Sequence, residues 1–156
     1  MAQNQAEGVM QSRIANFREI GAANKDIADE LKSGHPDLRK IRESAVLIQN
    51  RGAEMLHWFP PGSEAPFERD KSWLDTIVGW FSSDSLGLPG EVKSHAKSAI
   101  WTEKAAFERA HNRFKAQADQ MVQAAQSGNT TAISAQFRKL GETCKGCHDH
   151  YREKID

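Results

Sequence analysis

The 156-residue chain has no excess of charge of either sign, since 21 Lys and Arg residues balance 21 Asp and Glu residues. Nucleic-acid-binding proteins usually carry a basic excess, so this balance argues against that class. It argues equally against an acidic tail or a polyanion mimic. The longest apolar runs, such as residues 45–48 and 76–81, are far shorter than the about 20 residues that span a bilayer. The sequence therefore predicts no membrane-spanning helix.

The first eight residues, MAQNQAEG, are polar and lack the apolar stretch of a secretory signal peptide. These residues alone allow two interpretations, a cytosolic protein or a mature chain to which a starting Met has been added. Hydrophobic residues make up 38% of the chain, which is typical of a globular protein. A chain of this length can bury a core without disulfides. We therefore expect residues 1–156 to form a single domain.

Proline is scarce, and its positions divide the sequence into helical segments. The five prolines are Pro36, Pro60, Pro61, Pro66 and Pro89. Between them, apolar residues recur every three or four positions, as on one face of a helix, and strand-like alternation is nearly absent. The spacing predicts four amphipathic helices, at about residues 9–32, 36–58, 102–126 and 130–154. Such helices predict an all-α fold, an antiparallel four-helix bundle.

The ends of the predicted helices carry cap and stop signals. Pro36 suits the first turn of the second helix, where its missing N–H costs nothing. Thr102 is the expected cap of the third helix, and Asn129 or Thr130 that of the fourth. Gly128 is the expected stop of the third helix.

The chain has two cysteines, three residues apart near the C-terminus, and a histidine follows the second. Cys144, Cys147 and His148 form the C-x-x-C-H pattern of covalent haem attachment. Residues three apart lie on one face of a helix, so both thiols can reach the two vinyl groups of one porphyrin. His148, one turn after Cys144, can bind the iron beneath the same ring. The motif predicts one covalently attached haem c.

Three other interpretations of this motif are open. A zinc site usually has four ligands, and His111 and His150 do not stand at the spacing of known zinc pairs. A thioredoxin-like redox pair normally opens a helix after a strand, whereas this pair lies near the end of the last predicted helix. The third alternative is two core cysteines placed together by chance. The spacing favours haem attachment over all three.

A four-helix bundle with C-x-x-C-H near its C-terminus resembles the class II c-type cytochromes, and the cytochrome c′ family above all. The segments that carry the resemblance are Arg13, Phe17 and Gly21, the run Phe59-Pro60-Pro61-Gly62, the run Ile100-Trp101, and His148 with Arg152. The resemblance covers nearly the whole chain. It departs from the family at residues 65–99, a longer connection than usual that includes Trp73 and Trp80.

The resemblance implies how the iron is surrounded. Low-spin members carry a Met on the first helix where this chain has Phe17, and a phenyl ring cannot bind iron. The family pattern therefore implies five-coordinate, high-spin iron. It also implies that Arg13 contacts a haem propionate or the haem edge, and that Arg152 tunes the side of His148 electrostatically. Because bacteria attach haem to cysteine outside the cytoplasmic membrane, we expect a periplasmic protein.

Other side chains are weaker candidates for a sixth iron ligand. Met10 lies a heptad before Phe17, about 10 Å along the helix, which is too far. Met55 and Met121 lie on core-facing stripes and are expected to pack. The remaining histidines are expected at a helix end (His57), in the long connection as a possible ligand (His95), and facing water or a propionate (His111 and His150).

Two functions follow from the resemblance. The first is binding of NO or CO at the open iron position, where the apolar Phe17 disfavours O₂, with possible release of His148. The alternative is a low-spin six-coordinate electron carrier that docks a redox partner protein. No nucleophile–base pair or phosphate-binding Gly loop is present, so we expect no enzyme activity. A homodimer through the first two helices is also expected, with Ala22, Ala23 and Ile27 exposed on its surface.

Overall fold

The computed structural model describes residues 3–64 and 94–153. Most of the connection at residues 65–99, including Trp73 and Trp80, lies outside the described residues. The helices within the described segments are α1 (Gln3–Lys32), α2 (Leu38–Glu54), a 3-10 helix (Met55–Trp58), α3 (Ala99–Thr102), α4 (Lys104–Ser127) and α5 (Thr130–Tyr151).

The four long helices pack in sequence. α2 lies between α1 and α4, and α5 packs along α4. Across the two described segments, β-structure is limited to an isolated antiparallel bridge between Ala96 and Arg152. The predicted antiparallel four-helix bundle is confirmed. In the same segments no helix is both long and apolar enough to cross a membrane.

Two of the predicted helix ends are confirmed and two are wrong. Asn129 caps α5 by accepting a hydrogen bond from a backbone N–H of the first turn, and Gly128 ends α4 with φ at 70°. α2 is capped by Asp37, whose carboxylate accepts two backbone N–H bonds, so Pro36 precedes the cap instead of entering the helix. Thr102 ends α3 and does not cap α4.

The buried face of α1 contains a charged residue among its apolar ones. Met10, Arg13 and Ile20 are buried along this face. Gly21, four residues after Phe17, is exposed, with nothing within 4 Å of a Cβ atom built on it. The apolar spacing of the sequence does not identify Arg13 as buried, because Arg13 is charged, yet the bundle buries its guanidinium.

The helices α2 and α4 approach each other closely at Gly52. A Cβ atom built on Gly52 would lie 2.3 Å from Cε1 of Phe114, whose ring is buried in the core. His111, one turn earlier on α4, reaches the same point, with Nε2 2.7 Å from the Gly52 carbonyl oxygen. The missing side chain therefore permits the contact between the two helices.

We expect Gly52→Ala to destabilise the protein by about 1–3 kcal/mol, because the added methyl overlaps a ring in a packed core. Gly21→Ala is the matched control, since Gly21 is helical and nothing lies within 4 Å of its built Cβ. Alanine at residue 21 is expected to stabilise the helix by about 0.5–1 kcal/mol. Chemical denaturation of the haem-loaded protein measures both changes, and equal effects would contradict the close approach.

His111 was expected to face water or a propionate, but it is only 3% exposed and does not face water. Its Nε2 donates to the Gly52 carbonyl, and its buried Nδ1 has no hydrogen-bond partner among the described residues. Burial lowers the pKa of His111, and the charges of Lys115 and His57 act in the same direction. The bond to Gly52 and the charge of Glu108 oppose this shift. His111 is therefore a neutral core residue.

Stability is expected to fall as the pH drops below about 6.5, the ordinary pKa of histidine. The unfolded chain takes up a proton on His111 there, whereas the folded chain, with its lowered pKa, does not, so acid favours unfolding. His111→Gln is expected to flatten this dependence, and His57→Gln, at an exposed position, serves as the control. Denaturant titrations above and below that pH measure the slopes. An unchanged slope in His111→Gln would refute the assignment.

Candidate haem site

The C-x-x-C-H motif lies in the last two turns of α5, and its two half-buried thiols pack into different apolar clusters. Cys144 packs against the main core, the cluster that runs along the bundle. Cys147 packs against a second group, here called the end cluster, whose buried members are Ile100, Phe107, Ala110 and Tyr151. Phe59 contacts both clusters. The motif therefore stands at the junction of the two apolar groups.

The protonation state of the two thiols bears on whether they could form a reactive redox pair. Burial raises the pKa of Cys144, and burial together with the neighbouring Cys144 raises that of Cys147 to about 11. Both groups are therefore neutral thiols at neutral pH. Reactive redox pairs carry a thiolate with a lowered pKa, so this environment does not favour a thioredoxin-like pair.

Phe17 of α1 faces His148 of α5 across the bundle. Their ring centroids are 6.5 Å apart, with the ring planes inclined by 70°. The indole of Trp58 packs edge-on against Phe17 at 5.2 Å, and Phe59 lies 6.2 Å from it. The structure thus brings the predicted distal and proximal residues together and surrounds the distal one with aromatic carbon.

The distance between these two rings fits a haem. A metal–imidazole bond takes about 2 Å, and an apolar contact on the opposite face takes about 3.5–4 Å. These lengths, with the half-width of the imidazole, account for the observed 6.5 Å. The two thiols lie one turn apart on the same helix as His148. The residues present therefore match a flat, covalently held macrocycle.

His148 is exposed to solvent. Partial desolvation lowers its pKa, and the charge of Arg152 lowers it further, against a smaller opposing effect of Asp149. The neutral imidazole is the form that binds metals. Arg152 itself is exposed and caps α5, with its backbone N–H donating to the His148 carbonyl at 3.1 Å.

Arg13 is buried, with 4% of its surface exposed. Its guanidinium donates to the carbonyl oxygen of Trp58 at 3.2 Å and to that of Ser63 at 3.4 Å. It also donates to the hydroxyls of Ser63 at 3.3 Å and Ser94 at 3.0 Å. Burial lowers the pKa of Arg13 to about 10, so it remains charged at neutral pH. These four acceptors are neutral, and the guanidinium also lies over the Phe59 ring, 4.7 Å from its centroid, so within residues 3–64 and 94–153 no hydrogen bond joins Arg13 to a carboxylate.

The short extended segment at residues 95–97, near the end of the long connection, has no signal in the sequence. The Lys97 N–H donates to the Tyr151 carbonyl at 2.9 Å, and the Glu153 N–H donates to the His95 carbonyl at 2.7 Å. These two bonds form the isolated bridge, in which His95 participates through its backbone. Three residues are too few to give the alternation by which a strand is predicted.

The remaining candidates are accounted for by packing or exposure. Met10, Met55 and Met121 are buried in the bundle, as expected of packing residues. His57 is exposed, and His150 is exposed with Nε2 3.6 Å from a carboxylate oxygen of Glu103.

Together, the helical bundle and the C-x-x-C-H junction define a haem-binding c-type protein. A family model described as Cytochrome C' matches residues 8–152. The chain belongs to the cytochrome c′ family, and its cofactor is covalently attached haem c.

Individual relatives agree with this membership. Cytochrome c' from Alcaligenes xylosoxydans xylosoxydans is 33% identical over 124 residues, which cover 76% of this chain and 94% of the relative. Cytochrome c' from Rubrivivax gelatinosus is 39% identical over 69 residues, and that from Rhodospirillum rubrum is 38% identical over 81 residues. These last two matches cover 42% and 52% of this chain and only about half of each relative, 54% and 53%.

Solved structures share the fold. Cytochrome c' from Thermochromatium tepidum superposes with a TM-score of 0.77 at 19% identity, covering 96% of this chain and 97% of the other. Cytochrome c' from Rubrivivax gelatinosus gives a TM-score of 0.70 at 25% identity, covering 93% and 94%. A variant of cytochrome c prime from Alcaligenes xylosoxidans, solved in the ferrous state with bound NO, gives 0.73 at 20% identity, covering 96% and 97%.

Proposed function

We propose that this protein is a periplasmic cytochrome that binds NO or CO at a five-coordinate, high-spin iron. The observation that carries the proposal is the phenyl ring of Phe17, which faces His148 at 6.5 Å. An apolar ring in this position neither binds iron nor donates a hydrogen bond. Bound O₂ gains from a distal hydrogen bond, so the pocket favours NO and CO.

Three residues of α5 would hold the haem. Cys144 and Cys147 would provide the two thioether links, one at each apolar cluster, and His148 would bind the iron. When bound, the haem supplies a metal centre with one open position for a diatomic ligand. Trp58 and Phe59 pack beside Phe17 and exclude water from that position. The whole chain, residues 1–156, would act as one domain around this centre.

Two arginines would set the electrostatics of the site. Arg13 is charged, buried and bound to neutral acceptors, so a haem propionate would compensate it, and a planar guanidinium pairs well with a carboxylate. The charge of Arg152 lowers the pKa of His148, which supports an electrostatic role for Arg152 at the iron ligand. A cation there withdraws electron density from the iron ligand and would weaken its bond.

The relatives support gas binding. NO is bound in one structure of cytochrome c prime from Alcaligenes xylosoxidans, and CO in another. Another cytochrome c' undergoes a ligand-controlled dimer dissociation. We extend binding of both gases to this chain, together with release of His148 when NO binds.

A homodimer through α1 and α2 is part of the proposal, but its expected surface needs correction. Ala23 and Ile27 are buried at 4% and 0% exposure, so only Ala22 of the expected set is available. On α2, Val46 and Leu47 are exposed apolar residues that can contribute. Sedimentation equilibrium would detect the dimer as twice the chain mass of 17.4 kDa.

Absorption spectra of the ferric and ferrous protein test the function. Broad high-spin bands, with rapid formation of a CO adduct, are the expected result. Sharp low-spin bands and no CO adduct at neutral pH would instead identify a six-coordinate electron carrier, and the assignment of Phe17 as the distal residue would be wrong.

A further inference from the structure

We propose that the bridge between Ala96 and Arg152 is a proximal clamp, which restrains the turn of α5 that carries His148 and slows its departure from the iron. The clamp consists of the backbone of residues 95–97 and of residues 151–153. The inference rests on the proposed function, because it concerns the step in which NO binding releases His148. In that step the imidazole of His148 would leave the iron, with no change of oxidation state.

The clamp closes on the end of α5 from outside the helix. Lys97 donates its N–H to the Tyr151 carbonyl at 2.9 Å, and Glu153 donates its N–H to the His95 carbonyl at 2.7 Å. The last carbonyls of a helix have no partner within it. The bridge therefore satisfies one of them and fixes the chain that follows His148 by three to five residues.

The clamp is itself anchored at both ends. Ser94 accepts a hydrogen bond from the buried Arg13 of α1 at 3.0 Å. On the other side, the Tyr151 ring is 6% exposed and packs against Phe107 at 5.1 Å. The segment thus ties the last turn of α5 to the distal helix and to the end cluster, so the backbone of His148 cannot swing away without breaking these contacts.

Restraint of the backbone matters because the imidazole must move to leave the iron. His148 is one turn from the end of α5, and its own carbonyl accepts from the Arg152 N–H at 3.1 Å. Helix ends without tertiary contacts open most easily. A clamped end therefore keeps the imidazole beneath the iron for longer than a free end would.

Proline substitution removes the donors of the clamp one at a time. Glu153→Pro deletes the N–H that bonds His95, and Arg152, at φ −117° and ψ 135°, already has the conformation favoured before proline. Lys97→Pro deletes the second donor. Glu153→Ala and Lys97→Ala keep both N–H groups and serve as matched controls. All four variants leave Phe17, the motif and Arg152 in place.

The test follows the haem-loaded ferrous protein after mixing with NO. Absorption and electron paramagnetic resonance distinguish iron that retains His148 from iron that has lost it. We expect release of His148 to be about 5-fold faster in each proline variant and up to about 30-fold faster in the double variant. The alanine variants are expected to match the wild type.

Hydrogen exchange gives a readout that is independent of the gas. The amides of Lys97 and Glu153 should be protected from exchange in the wild type. In Glu153→Pro the Lys97 amide should lose this protection, and in Lys97→Pro the Glu153 amide should lose it. Circular dichroism and mass confirm that the variants fold and carry haem. Unprotected amides in the wild type, or proline variants that lose protection yet release His148 at the wild-type rate, would overturn the clamp alone. A wild type that binds no NO would overturn the proposed function and, with it, the clamp.

Discussion

Replacing Cys144 and Cys147 together with serine is expected to abolish covalent haem attachment. Each half-buried thiol packs against a different apolar cluster, and the two lie one turn apart on α5, which also carries His148. Serine offers no thiol to add to a vinyl group. Mass spectrometry of protein made with the haem-attachment machinery should show the mass of the bare chain, against the chain plus one haem for the wild type.

The single variants and a control sharpen this expectation. Cys144→Ser or Cys147→Ser leaves one thioether, so the haem mass is retained in part and the ferrous absorption bands shift. Lys145→Ala is the matched control within the motif, because Lys145 is exposed and pairs with Asp149 on the surface. A double variant that still carries the haem mass would show that the motif does not hold the cofactor.

Phe17→Met is expected to convert the iron from five-coordinate to six-coordinate. The ring that faces His148 at 6.5 Å would be replaced by a flexible thioether, which can reach a metal placed between them. CO must then displace the thioether. If sulfur occupies the iron 90–99% of the time, the apparent CO affinity falls by about 10- to 100-fold. Absorption spectra and CO titration measure both changes.

Phe17→Leu is the control that distinguishes binding of the Met sulfur to iron from loss of the phenyl ring. Leucine removes the aromatic contacts with Trp58 and Phe59 but offers no ligand, so the iron should stay five-coordinate and bind CO readily. Low-spin bands in Phe17→Met alone would establish residue 17 as the distal position. An unchanged iron spectrum in Phe17→Met would place the distal face elsewhere.

Local signals predicted the fold well where one interaction dominates. The helical period of α4 and α5 and the αL glycine at Gly128 are such cases, and the structure contains both. The boundary between α3 and α4 was wrong because Thr102 hydrogen-bonds within α3, to the Ser98 carbonyl, instead of capping the next helix. The 3-10 turn after α2 has no signal in the apolar spacing, which continues unbroken through Met55 and Phe59.

The sequence predicted the residues of the haem-attachment motif, but not the residues that hydrogen-bond to Arg13 or the buried position of His111. C-x-x-C-H requires a fixed spacing along one helix, so Cys144, Cys147 and His148 could be found without a structure. Ser63 and Ser94 could not, because a hydroxyl that accepts from a buried guanidinium looks like any loop serine. His111 was misplaced because its partner is a backbone carbonyl on another helix, that of Gly52, which leaves no signal in the sequence.

The junction of the two apolar clusters has a consequence for how the protein unfolds. Cys144 belongs to the main core and Cys147 to the end cluster, and Phe59 is shared. A rigid macrocycle joined to both sulfurs would lie against both clusters and would couple their unfolding. The loaded protein should therefore lose its structure in one cooperative transition. In the bare chain, α3 and the residues around Tyr151 would form a separate unit that opens first.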